Sequence, residues 1–150
     1  IARRLIILAS EDIGNADPRG LSLAVAAMEA VDFVGMPEAR IILAQATTYL
    51  ACAPKSNAAY AAVDQAMDDI KNGRTLPVPK HLSSTFAGAE QLGHTGNQYA
   101  HDHPGHFLDH EYVPTTRTYY EPTNKYYEET IRKRIAHWDS RRERQQTSDE

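Results

Sequence analysis

Glycine and proline punctuate the first 73 residues so regularly that only helices of ordinary length fit between them. Ile1–Ser10 reads as an amphipathic helix already under way, with no capping residue before it, so residues upstream of Ile1 are expected. That helix should stop at Gly14, because glycine enters the left-handed region cheaply. Asp17 then caps a second helix with Pro18 at its first position. Leu21, Val25, Met28 and Val31 are its expected core stripe, and Gly35 its end. Pro37 opens a third helix reaching Cys52, apolar on nearly every side and therefore predicted to be the central, buried one. Pro54 terminates it, and Ser56 caps a fourth. There Ala59, Val63, Met67 and Ile70 should face inward, with Asp64, Gln65, Asp68, Asp69 and Lys71 in water, until Gly73.

Four helices joined by short turns predict an all-α chain built on a compact helical bundle over residues 1–73. From residue 74 to 122 the periodicity is lost. Five prolines (Pro77, Pro79, Pro104, Pro114, Pro122) and four glycines interrupt it, with room for one short helix near Thr85–Leu92. Tyr99, Phe107, Tyr112, Tyr119 and Tyr120 argue against plain disorder, so this is read as an irregular arm lying on the core or on a neighbouring subunit. A last helix over 123–146 carries Tyr127, Ile131, Ile135 and Trp138 on one face and a basic opposite face. Its acids are expected to pair at i, i+4, as Glu128 with Arg132 and Glu129 with Lys133.

Of the 150 residues, 41% are hydrophobic and one is cysteine. This excludes an internal disulfide, suits a reducing compartment, and leaves Cys52 to behave as a small buried hydrophobe. No apolar run reaches the ~20 residues of a membrane span. With a formal charge of −4 the chain has no global field for nucleic acid. A local one is conceivable on the last helix, where Arg132, Lys133, Arg141 and Arg142 are the candidate DNA contacts; the plainer reading is a solvated face.

The densest cluster of chemistry is His94, His101, His103, His106 and His110. Four of these, His101, His103, His106 and His110, are weak candidates for a zinc-type site. Five histidines in so short a stretch generate chelating spacings by chance, no thiolate accompanies them, and no metal site is assigned. There is no G-x-x-x-x-G-K-[ST] phosphate loop, G-x-G-x-x-G or G-x-S-x-G, and no catalytic or cofactor residue is named. Glu11/Asp12 and Asp68/Asp69 are helix neighbours diverging by about 100°, poorly placed for acid–base work.

Several segments together resemble the C-terminal region of the RarA/MgsA family of AAA+ ATPases, whose eukaryotic relatives are the Werner-helicase-interacting ATPases. They are Ser10-Glu-Asp-Ile-Gly-Asn-Ala-Asp-Pro18, Leu43-Ala-Gln-Ala46, Tyr49-Leu-Ala-Cys-Ala-Pro-Lys-Ser-Asn57, Leu76-Pro-Val-Pro-Lys-His-Leu82, Tyr99-Ala-His-Asp-His-Pro-Gly105 and Tyr120-Glu-Pro122. Their order and spacing hold across nearly the whole chain. The resemblance implies a domain like the clamp-loader collar that holds subunits as a homotetramer and does no chemistry itself. It implies a parent that binds ATP and Mg in a preceding AAA+ core and acts as a DNA-dependent ATPase of replication-fork maintenance, recombination and repair. The expected partners are that core, DNA through the parent, and a single-stranded-DNA-binding protein, in a cytoplasmic, nucleoid-associated setting. One departure is Gly93-His-Thr-Gly-Asn-Gln98, which lacks the Lys and Arg of the family's glycine-rich stretch.

Overall fold

A computed structural model describes residues 1–82, 91, 93, 98–108, 112 and 117–146, the side chains of 143–146 excepted. The described residues hold five α-helices and no strand: α1 Ala2–Leu8, α2 Arg19–Val34, α3 Ala39–Cys52, α4 Ala58–Lys71 and α5 Tyr126–Gln146. The chain is all-α, as its punctuation predicts. It divides into one compact unit of Ile1–Asp68 with Thr118–Arg134, and another of Asp69–Arg117 with Ile135–Glu150. The expected short helix near Thr85–Leu92 lies mostly outside the described residues.

In the first unit, α1 widens into a π-helical turn over Ala9–Ile13 and breaks at Gly14. Gly14 has φ +49, and a Cβ there would stand 2.7 Å from the Ser56 carbonyl oxygen, so only glycine lets the chain turn against that backbone. Asp17 caps α2 as expected, its Oδ1 accepting from the Arg19 backbone N–H at 3.2 Å. Ser56 caps α4 in the same way, its Oγ accepting from Ala58 N at 3.2 Å. Gly35 and Gly73 end their helices at positive φ.

The core is narrower than the sequence suggests. It comprises Leu5, Ala9, Ile13, Ala24, Ala27, Ala46 and Leu50. The buried face of α2 is Gly20, Ala24 and Ala27, each one residue before the predicted Leu21, Val25 and Met28, hence about 100° round the helix. Small residues win because the α1 turn and α3 come close: a Cβ on Gly20 would lie 3.3 Å from Ile13 Cγ2 and 3.5 Å from Leu50 Cδ2. Leu21 and Met28 do not fit in that gap and stand partly in solvent. Full burial of Ile13 and Leu50 contributes roughly 1.5–3 kcal/mol each.

Three further expectations are corrected. Helix α3 is not enclosed: it buries Ala39, Ala46 and Leu50, while Ile41, Ala44 and Cys52 are exposed, because α2 covers one side only. The inward face expected on α4 points outward, with Ala59, Val63, Met67 and Ile70 exposed; its buried residue is Asp69. On α5, Tyr127 and Trp138 are exposed and Ile131 and Ile135 half-buried, and the buried residue is Glu128.

In the second unit, Asp69 accepts from Arg74 Nη1 at 3.0 Å and Arg117 Nη1 at 2.9 Å. One carboxylate thereby holds both flanks of the segment that runs from 74 to 117. Within that segment, short 3-10 turns form at Lys80–Leu82, Ala100–Asp102 and Pro104–His106. Arg141 donates to the Pro104 carbonyl at 2.7 Å and lies over the Phe107 ring, 5.4 Å from its centroid.

Gly14→Ala should therefore destabilise the domain by about 2 kcal/mol or more, read as a lowered urea midpoint with an unchanged m-value. Cys52 should react with an aromatic disulfide reagent in native buffer as fast as in denaturant; a buried thiol would need unfolding first.

Candidate assembly surface

Polar anchoring and apolar exposure together define what this domain can do. The anchoring centre is Glu128, 0% exposed. Its Oε2 accepts from Ser56 Oγ at 2.8 Å and Thr123 N at 3.0 Å, and its Oε1 from the Tyr120 hydroxyl at 3.1 Å. The Tyr120 oxygen in turn accepts from Asn15 Nδ2 at 3.1 Å. Burial pushes the carboxyl up, but the donors from Thr123, Ser56 and Tyr120 outweigh it and hold Glu128 below its ordinary 4.5. The expected Glu128–Arg132 surface pair is thus replaced by an internal hub, whereas Glu129 does pair with Lys133 at 2.7 Å.

A second anchor is Asp17. It takes Arg19 Nε at 2.9 Å and the Tyr49 hydroxyl at 2.6 Å, tying the start of α2 to the end of α3. The Arg19 hydrogen bond lowers the Asp17 pKa against the opposing effect of burial, and the same carboxylate pushes the Tyr49 phenol up. Both carboxylates tie separate segments of the first unit together, a structural role.

The apolar surface lies on α2 and α3. Between them runs an open groove of about 560 Å³ with Leu23, Ala26, Ala30, Ile42 and Ala46 among its lining residues, and Arg19, Ser22 and Gln45 as its polar members. Near the end of α2, Phe33 is 92% exposed; Met36 is 74% and Ile41 58% exposed, with Val34 beside them. A phenyl ring almost wholly in water is unfavourable, and clustered exposed apolar side chains mark a surface that another molecule covers. Sequence periodicity misses it, since it reads Ile41 as part of a buried third helix and leaves Phe33, Val34 and Met36 outside the α2 stripe. The available signal was Phe33 itself, in the last turn before Gly35 and off the α2 stripe.

The residues singled out from the sequence fall elsewhere. His101 and His106 stack with ring centroids 4.5 Å apart, and Tyr99 lies 5.0 Å from His101. His103 is half-buried, while His94 and His110 lie outside the described residues. Among the described residues no three His, Cys, Asp or Glu side chains converge on a point where a metal ion could sit. Arg132 and Lys133 belong to the first unit and Arg141 and Arg142 to the second. Lys133 is engaged by Glu129, and Arg141 and Arg142 both lie over Phe107. No described helix is long and apolar enough to cross a membrane.

The described residues thus form an all-α domain with buried, hydrogen-bonded carboxylates and an exposed apolar face on α2 and α3. Its family is shown directly: residues 1–139 match the family described as MgsA AAA+ ATPase C terminal, and the chain belongs to it. It is similar to an uncharacterised AAA domain-containing protein of Mycobacterium tuberculosis, 48% identical over 140 residues that cover 90% of this chain and 31% of that protein. Replication-associated recombination protein A of Escherichia coli is 39% identical over 142 residues (91% and 32%), and its Bacillus subtilis namesake 40% over 127 (81% and 30%). The chain spans about a third of the length of these relatives.

Replacing Glu128 by Gln turns one acceptor into a donor facing donors, and should cost about 2–3 kcal/mol. Because the native pKa is depressed, its contribution is present above the unfolded value and lost as pH falls through the native one. Wild-type stability should fall as pH drops below the ordinary value of 4.5, and less steeply in Glu128→Gln, as denaturant titrations at each pH would read.

Proposed function

We propose that this domain is the oligomerisation module of an AAA+ ATPase, holding its copies together as a homotetramer. The single observation that carries the reading is the exposed apolar face of α2 and α3, with Phe33 projecting beside an alanine-lined groove. A bulky ring and a groove on one surface are self-complementary, the condition for two copies to meet through the same patch. Phe33 of each copy enters the groove of the other, covering the apolar area that water now meets.

Relatives named replication-associated recombination protein A support a parent that acts in replication-associated recombination. We take the reading further, to a DNA-dependent ATPase of fork maintenance in the cytoplasm, at the nucleoid. ATP and Mg belong to the preceding AAA+ core. This chain has no phosphate loop, and no residue of it is assigned to nucleotide. The domain contributes by fixing the spacing of those cores, so that nucleotide sites form between subunits. Its own core and a single-stranded-DNA-binding protein are its partners, and DNA reaches it through the parent.

Light scattering during size exclusion, at several protein concentrations, tests this. The wild-type chain should run as a tetramer, and Phe33→Asp should weaken association by about 2 kcal/mol or more, roughly thirtyfold. A wild-type monomer at every concentration overturns the reading.

A further inference from the structure

An open pocket of about 510 Å³ lies wholly within the first unit, between the start of α2, Pro54 and the first turn of α5. Its size falls in the roughly 300–1,000 Å³ range of ligand sites. Tyr126 and Tyr127 both line it, although neighbours on a regular helix diverge by about 100°. The backbone of Tyr126 departs from the helical series: it sits at φ +54, in the left-handed region that a bulky residue enters only under strain. The strain yields little packing, since the two residues stay 61% and 41% exposed. Backbone strain of this kind collects at ligand clamps, where it sets side chains ahead of the ligand.

The polar side chains of the pocket are set to donate. Its one carboxylate, Asp17, is already filled. Oδ1 accepts from the Arg19 backbone N–H and Nε, and Oδ2 from Arg19 Nη2 at 3.3 Å and the Tyr49 hydroxyl at 2.6 Å. These bonds hold the guanidinium through Nε and Nη2, so Nη1 keeps its donors on a side chain that is 81% exposed. The hydroxyls of Tyr126, Tyr127 and the exposed Thr130 add three more. Pro18 and Pro54 contribute flat apolar rings beside the two phenols.

That combination sorts ligands by what they lack. An ordinary peptide brings an N–H at every residue, and the carboxylate that could accept it is occupied. A phosphate calls for unbalanced positive charge, whereas Asp17 balances Arg19. A proline-rich segment in the polyproline II form brings carbonyl acceptors without N–H donors at its prolines. It has no internal hydrogen bonds, and its rings lie flat against aromatic ones.

We propose that this pocket binds a proline-rich segment of a partner protein in the polyproline II form. Proline rings of the segment stack on Tyr126 and Tyr127, and Arg19 and the hydroxyls donate to its carbonyls. The site is separate from assembly and operates whether the chain is single or joined to its copies.

The test is fluorescence anisotropy with a labelled decaproline peptide, against a labelled glycine–serine peptide of equal length and a labelled oligothymidine. Decaproline should give a saturable rise, and neither control should. Tyr127→Ala should weaken binding about tenfold or more. Tyr126→Gly should do the same while raising the urea midpoint, because glycine adopts φ +54 without strain. A residue with a merely structural role would not lose binding and gain stability together. No rise with decaproline at millimolar peptide overturns the proposal. Binding of the glycine–serine peptide or of oligothymidine as tight as that of decaproline overturns the ligand class. Wild-type affinity in Tyr126→Gly and Tyr127→Ala overturns the site.

Discussion

The first unit depends on one buried carboxylate. Glu128 sits at the start of α5, yet its acceptors are filled by the Ser56 turn, by Tyr120 and by the Thr123 backbone, and Tyr120 passes the link on to Asn15. Three stretches far apart in sequence, at Asn15, at Ser56 and over 120–128, are thereby drawn to one place. A charge costs several kcal/mol to remove from water, and it is tolerated here because every donor around it favours the ionised form. Because Ser56 also caps α4, the same hydroxyl couples the start of that helix to α5.

Around this polar hub the apolar core is small and built from small side chains. Gly20, Ala24, Ala27 and Ala46 let α2 and α3 come close, and Ile13 and Leu50 fill what space is left. Close approach excludes the larger residues of the same helices. Phe33, Met36 and Ile41 on one face and Val63, Met67 and Ile70 on another are consequently left in solvent. The described residues thus leave in solvent apolar side chains that the helix periodicity assigns to a core.

The second unit is held by charge. Asp69 binds an arginine on each flank of the irregular segment, and Arg141 fastens its middle through the Pro104 carbonyl and the Phe107 ring. Residues that read as solvated surface, Asp69 and Arg141 among them, are thus structural.

The amino-acid sequence by itself determined the five described α-helices, their approximate ends and the family. Gly14, Asp17, Gly35, Ser56 and Gly73 act within a few residues of themselves, through local φ preferences and side-chain caps, and so are legible without a fold. Which side of each helix is buried was decided only by tertiary packing. An apolar stripe states that a face avoids water, not whether its own chain or another copy covers it, and on the α2 side the approach to α3 left room only for glycine and alanine. The roles of Glu128 and Asp69 were equally out of reach, because their partners Ser56, Tyr120, Arg74 and Arg117 come from separate turns, and no spacing rule connects a buried carboxylate to donors that only the fold brings near.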